Sequence, residues 1–206
     1  MDLRPYQQDI IDRLRASYGS GKRAPLLCSP TGSGKSAMVG YILGRTRKRT
    51  LYLCHRAELM AMVCQHLDAV GILYGVIAAD RRDAGPEQIH VGMVQTVLRR
   101  LDRLPAYDWV ISDEAHLAMA PGWRRVLDHY GDAQHLGMSA TPCRLDGKGL
   151  GDVYDDIVYG PSIGELTGMG FLAPLRVFHP PAELGSIKTR MGEYDMGSAA
   201  QAIDTS

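Results

Sequence analysis

The sequence predicts an α/β domain: a mostly parallel β-sheet with helices on both faces. Three observations carry this reading. Short apolar runs alternate with helix-compatible stretches, the pattern that builds βαβ units. Several of these runs are apolar throughout, as strands covered on both faces of a parallel sheet must be. The first run also leads directly into a glycine-rich loop and a helix start, Ser29-Pro30-Thr31-Gly32-Ser33-Gly34-Lys35-Ser36.

The elements follow in order. Pro5–Gly19 reads as a helix, and Pro25–Ser29 as the apolar strand before the glycine loop. Lys35–Arg47 is the helix that the loop opens, and Thr50–Cys54 is the next buried strand. Ala57–Val70 is helical and Leu73–Ala78 is a strand; Asp80 to Glu87 is polar, contains Gly-Pro and reads as a surface loop. His90–Val94, Trp109–Ser112 and His135–Ser139 are the remaining strands, with helical patterns at Gln95–Leu101 and Gly122–Gly131. After Gly160-Pro161 come a short helical pattern, Ser162–Met169, then Phe171–Phe178 and the break His179-Pro180-Pro181. Ala182 to Ser206 has little core-forming pattern and reads as a linker, so the sequence looks cut. No internal repeat or low-complexity tract is present.

The length suits one domain, or one domain plus an incomplete second. Lys and Arg together number 23, as do Asp and Glu, so any nucleic-acid surface has to be local. Cys28, Cys54, Cys64 and Cys143 form no CxxC pair, which argues against a zinc site or a disulfide framework and for a reducing cytosolic compartment. Cys28 and Cys54 fall on expected buried strands, where a thiol behaves as a small hydrophobe. The N-terminus is polar from Asp2 and no apolar run is long enough to span a bilayer, so a cytoplasmic protein without a membrane partner is expected.

The chemistry gathers at two places. In the glycine loop, Thr31, Gly32, Ser33 and Gly34 let backbone N–H groups turn inward, and the helix N-terminus adds partial positive charge. Lys35 would reach the β- and γ-phosphates of a bound nucleotide, and the Ser36 hydroxyl would hold Mg²⁺. Ser29 stands where the usual pattern has its first glycine. An ordinary Gly/Ser turn is the alternative, and it leaves Lys-Ser at a helix start unexplained. Directly after the strand Trp109-Val110-Ile111 comes Asp113-Glu114-Ala115-His116. Asp113 would hold Mg²⁺ through water, and Glu114 would orient and deprotonate an attacking water. A solvated acidic turn capping a helix is the bland alternative.

With these motifs the chain resembles the first, RecA-like motor domain of a superfamily 2 helicase or translocase of the DEAH-signature type. Further segments match in the family's order. Leu3-Arg4-Pro5-Tyr6-Gln7 resembles the adenine-recognition segment, which implies a bidentate hydrogen bond from Gln7 to the base with Arg4 or Tyr6 packed nearby. His55-Arg56-Ala57-Glu58-Leu59 and Val91-Gly92-Met93-Val94-Gln95-Thr96 resemble strand-end segments that touch the nucleic-acid backbone, implying contacts by Arg56, Gln95 and Thr96. Each of these three could instead cap the following helix or turn. Ser139-Ala140-Thr141 resembles the segment that couples nucleotide state to nucleic acid, with His116 bridging to it. Its continuation, Pro142-Cys143-Arg144-Leu145-Asp146-Gly147, is typical of a DNA-directed subgroup of repair, restriction and phage helicases.

The resemblance implies an ATP-binding domain over residues 1–178, followed at 179–206 by a linker toward an absent second RecA-like domain. That second domain would bring the arginine finger, worth about 10³–10⁵ in rate, so the fragment alone is expected to be weak or inactive. The implied partner is single- or double-stranded DNA and the implied activity is ATP-driven unwinding or movement. The rivals are a duplex translocase of a restriction-type system, an RNA helicase and a non-hydrolysing nucleotide-binding module. Arg81, Arg82, Arg99, Arg100 and Arg103 read as a solvated face. His55, His66, His90, His129, His135 and His179 share no ligand spacing and read as surface or satisfied side chains. Trp109 and Trp123 read as core.

Overall fold

A computed structural model of the chain describes residues 3–79, 85–143, 147, 149–174, 189–190 and 193–194. The chain divides into two compact units, Met1–Leu172 and Ala173–Ser206. The described part of the second is a short antiparallel ladder, Thr189–Arg190 against Glu193–Tyr194. Arg81, Arg82, Arg144-Leu145-Asp146, the end of Phe171–Phe178 and the break at His179-Pro180-Pro181 lie outside the described residues.

The first unit is a seven-stranded sheet with helices. Its elements are α1 (Pro5–Gly19), β1 (Pro25–Cys28), α2 (Lys35–Leu43), β2 (Thr50–Cys54), α3 (Ala57–Ala69), β3 (Gly75–Ile77), β4 (Ile89–Met93), α4 (Val94–Leu98), β5 (Trp109–Asp113), α5 (Pro121–His129), β6 (Gln134–Ser139), β7 (Asp156–Tyr159) and α6 (Ile163–Gly168). The strand order is β3-β4-β2-β5-β6-β1-β7, and every neighbouring pair is parallel. The sheet is thus wholly parallel where a mostly parallel one was expected.

Burial on both faces explains the unbroken apolar strands. Along β2, Tyr52 and Cys54 join a core with Ile10, Leu14, Met38 and Leu67 of α1, α2 and α3. Leu51 and Leu53 join a second core with Val97, Trp123 and Val126 of α4 and α5. One strand feeds two cores, so alternation disappears from its hydropathy. Proline at the first position of α1 costs no hydrogen bond, because that N–H has no partner within a helix.

Several boundaries differ from the sequence reading. Helix α2 ends at Leu43 rather than Arg47: Gly44 caps it, and the amides of Arg45 and Thr46 both turn back to the Ile42 carbonyl. Strand β3 is shorter than Leu73–Ala78, with Leu73 left 85 % exposed. Strand β7 was not anticipated. It is an edge strand on which only Val158 is buried, while Ile157 and Tyr159 face outward.

Both tryptophans are buried, and the Trp109 Nε1–H donates to Tyr18 Oη at 3.0 Å. His90 is fully buried with both ring nitrogens engaged, one by Tyr107 Oη at 3.0 Å and one by the Gly85 carbonyl at 3.3 Å. Among the described residues, no helix is long and apolar enough to cross a membrane.

Candidate functional site

In an open parallel sheet the carboxyl ends of the strands are where loops converge on ligands. Here β1, β6 and β5 lie side by side. Their carboxyl ends carry the glycine loop, Ser139 and the Asp113-Glu114 pair in turn.

The glycine loop is anchored at its base by the Ser29 N–H, which donates to the Ser139 carbonyl at 2.9 Å. Gly32 and Gly34 have φ of 82° and 80°, a region open to glycine and costly for other residues. Both are also crowded. A Cβ on Gly32 would lie 2.8 Å from Leu172 Cδ2, and one on Gly34 would strike the Gln7 amide nitrogen. Thr31, Gly32 and Ser36 are exposed at the mouth, whereas Ser33 is buried. Lys35 opens α2 and folds back, its Nζ donating to the carbonyls of Ser29 at 2.8 Å and Pro30 at 3.2 Å. Burial lowers the Lys35 pKa, and the charges of Asp113 and Glu114 oppose that shift. Lys35 and the acidic pair are thus near enough for their charges to act on one another.

Asp113 ends β5 with its carboxyl pKa raised, first by burial and then by the Glu114 charge. The Glu114 N–H, which donates to Asp113 Oδ1 at 3.0 Å, pulls the other way, as do the Tyr52 hydroxyl and Lys35. Glu114 has φ 53° and ψ 52°, and it is the sole non-glycine with positive φ among the described residues. Such a backbone costs on the order of 1 kcal/mol and persists when its surroundings impose it. Here the fully buried Ala115 and Ala118 pin the 3₁₀ turn Ala115–Leu117 that follows.

The turn carries His116 to a position between two strands. Its Nδ1 lies 3.3 Å from Glu114 Oε2 and 3.4 Å from Ser139 Oγ. Ser139 Oγ also accepts the Thr141 N–H at 3.1 Å and lies 3.4 Å from Thr141 Oγ1. Glu114, His116, Ser139 and Thr141 thus form one polar chain across the ends of β5 and β6.

Arg4, Tyr6 and Gln7 reach the loop from the start of α1. Gln7 is 4 % exposed, with Oε1 accepting the Arg4 N–H at 2.9 Å and Nε2 donating to the Ser33 carbonyl at 3.1 Å. Tyr6 Oη donates to the same carbonyl at 2.8 Å. Both ends of the Gln7 amide are therefore engaged within the protein. The Arg4 guanidinium lies over the Phe171 ring at 4.5 Å, and the Tyr6 and Phe171 ring centres are 5.2 Å apart. The sequence reading missed Phe171, Leu172 and Tyr52 as neighbours of the site. No local motif marks them, because chain topology rather than spacing brings them there.

Of the strand-end residues, Arg56 is exposed ahead of α3 and lines a cavity of about 390 Å³ that also contains His55, Leu59 and Glu114. Gln95 is exposed, but Thr96 turns inward and is 8 % exposed. The outer face of α4 therefore offers Gln95 rather than Thr96 to a ligand.

Comparison with known proteins fits this geometry. The chain is 29 % identical over 182 residues to a 51.5 kDa protein of a Lactococcus phage, covering 86 % of this chain and 38 % of that protein. It is 28 % identical over 229 residues to IRC3 of Saccharomyces cerevisiae, described as an ATP-dependent helicase, covering 98 % of this chain and 33 % of that protein. The chain thus spans about a third of the length of either relative. A solved structure of a nuclease-deletion mutant of the Type ISP restriction-modification enzyme LlaGI, in complex with a DNA substrate mimic, shares the fold with a TM-score of 0.64 at 18 % identity. That match covers 82 % of this chain and 18 % of the other. Residues 1–144 match the family model described as Type III restriction enzyme, res subunit. The match covers more than half of the chain, and the chain belongs to this family as an N-terminal RecA-like domain of the superfamily 2 helicase class, with the parallel sheet of that fold.

Proposed function

We propose that this chain is the ATP-binding half of a DNA helicase or translocase motor, hydrolysing ATP to drive movement on DNA. One observation carries the reading: the glycine loop with Lys35 follows β1 and the Asp113-Glu114 pair closes β5, at the carboxyl ends of strands that both neighbour β6, where the carboxylate charges act on Lys35. A phosphate-binding loop facing two carboxylates is the arrangement that phosphoryl transfer to water needs.

On this reading, Lys35 exchanges the Ser29 and Pro30 carbonyls for phosphate oxygens. Gly32 and Gly34 keep the loop open enough for backbone N–H groups to approach them. Ser36 and Asp113 supply hard oxygen donors suited to Mg²⁺, which when bound offsets the phosphate charge. A cation there also suits the environment of Asp113, whose ionised form is disfavoured by burial and by Glu114. Glu114 takes the proton of the attacking water, and His116 carries the resulting change toward Ser139 and Thr141. Arg4, Tyr6 and Gln7 border the base end of the nucleotide. Arg56 and Gln95 meet the DNA backbone at the strand ends. Residues 179–206 lead toward a second RecA-like domain that completes the site with an arginine finger.

The test is ATP turnover with and without single- and double-stranded DNA, using a protein that carries both motor domains. DNA-stimulated turnover that disappears in Lys35→Ala and Glu114→Gln supports the reading; turnover that survives Lys35→Ala refutes it. A second reading, movement along duplex DNA without strand separation, is favoured by the restriction-enzyme family model and by the DNA-bound restriction enzyme that shares the fold. Triplex displacement without strand displacement would select it.

A further inference from the structure

At the amino-terminal ends of the strands, away from Lys35 and Asp113, a cavity of about 350 Å³ opens between α1 and α2. The reading of the ATP site leaves it unused. Its apolar walls come from Ile11 and Leu14 of α1, Ile42 of α2 and Leu136 of β6. Tyr41 adds a ring, and two further aromatic residues complete the wall with their polar ends turned into the protein: Trp109 Nε1–H donates to Tyr18 Oη, which donates onward to the His135 carbonyl at 2.7 Å. The cavity therefore offers hydrocarbon and ring surface and little hydrogen bonding.

Its rim is cationic. Arg15, Arg45 and Lys48 line the opening, and the loop Arg45-Thr46-Arg47-Lys48-Arg49 places four cations in five residues. Arg15 pairs with Asp12 at 2.8 Å. Among the described residues, no carboxylate forms an ion pair with Arg45, Arg47, Lys48 or Arg49. The Arg45 guanidinium lies over the Tyr41 ring at 3.8 Å and donates to the Tyr41 carbonyl, and the Lys48 ammonium is 5.8 Å from the centre of the Trp109 ring and donates to the Gln134 side-chain oxygen, so both charged heads sit at the edge of the wall on exposed residues. The neutral chain thus concentrates positive charge around one apolar hole, and most of it has no carboxylate partner among the described residues.

The complement of such a site is a large apolar side chain flanked by carboxylates. A nucleobase fits it poorly, because the hydrogen-bonding edges of a buried base would go unpaired against aliphatic walls. We propose that the cavity docks an acidic segment of a partner protein, which seats one phenylalanine-sized side chain against Ile42 and Leu136 and sets its carboxylates on Arg45, Lys48 and their neighbours. Burial of the anchor supplies affinity, and the rim charges supply orientation and encounter rate.

The test is fluorescence anisotropy of a labelled peptide, Glu-Asp-Glu-Phe-Asp-Glu, titrated with the complete chain at low ionic strength. The expected result is saturable binding with a Kd of about 1–100 μM. It should weaken about tenfold or more when the peptide phenylalanine becomes alanine, and similarly in the double variant Arg45→Glu, Lys48→Glu. Both of those residues are exposed, so the variant keeps its fold, which a thermal melt checks. Lys35→Ala should bind the peptide as the parent does, which separates this site from the ATP site. Absence of saturable binding overturns the proposal. So does equal binding of the alanine peptide, which would reduce the site to bare charge. Displacement by oligothymidylate with tighter, variant-sensitive binding would make the surface a nucleic-acid site instead. Concentration-dependent self-association that the double variant abolishes would assign the cavity to a second copy of the chain.

Discussion

Replacing Gly34 with alanine tests the link between the start of α1 and the phosphate loop. Two costs add. A left-handed residue bearing a Cβ loses about 1–2 kcal/mol relative to glycine, and Gly34 has φ of 80°. The new methyl also strikes the Gln7 amide nitrogen, which must leave the Ser33 carbonyl. A hydrogen bond of that kind is worth about 1 kcal/mol net. Together they predict a loss of about 2–3 kcal/mol, or about 4–12 °C in Tm for a chain of this size. Urea unfolding of Gly34→Ala, alone and combined with Gln7→Ala, separates the two parts. With Gln7 already shortened the methyl meets only Ala37 Cβ at an ordinary contact distance of 3.9 Å, so the second loss should shrink to the backbone part alone and leave a coupling of about 1 kcal/mol. An equal loss in both backgrounds would mean that Gln7 does not press on the loop, and the reasoning fails.

The acidic pair gives two further predictions. Glu114→Gly relieves the left-handed backbone and should stabilise the fold by about 1 kcal/mol, while turnover in the two-domain protein falls by about 100-fold or more; a destabilised variant in chemical denaturation would show that residue 114 carries no strain. Burial and Glu114 hold the folded Asp113 pKa above its unfolded value, so the folded state binds the extra proton. Stability from this group is therefore present below the unfolded pKa and lost as pH rises through the folded one. Asp113→Asn should accordingly raise Tm at neutral pH relative to the parent, with the advantage vanishing in acid, and a pH series of melts checks the sign. At the strand ends, Arg56→Ala should weaken DNA binding evenly across sequences and reduce the salt slope by about 1; an unchanged slope in salt titrations would remove Arg56 from the backbone contacts.

The central strands were legible because burial on two faces leaves an unbroken apolar run, as in Leu51-Tyr52-Leu53-Cys54. The glycine loop and the acidic pair were legible because each is contiguous. Strand β7 was not, since an edge strand needs only one buried side chain, Val158, and its flanks carry Gly and Asp. Tyr52 reaches Asp113 because β2 pairs with β5 with Tyr52 opposite Ile111, a register that no local spacing encodes. Leu172 meets Gly32 through the path of the chain after α6. The left-handed Glu114 had no local mark either, for glutamate does not favour that conformation and the tightly packed Ala115 and Ala118 impose it.

Ser139 holds two attachments of different kinds. Its carbonyl grips the base of the glycine loop through the Ser29 amide, and its hydroxyl touches His116 and Thr141. The residue therefore works like the pivot of a balance, with the phosphate grip hung on its main chain and the acidic arm on its side chain. Mutation can reach only one pan. Ser139→Ala cuts the acidic arm and leaves the main-chain grip intact, so on the proposed function a motor carrying this change should still hold its fuel while losing the means to report that the fuel has been spent.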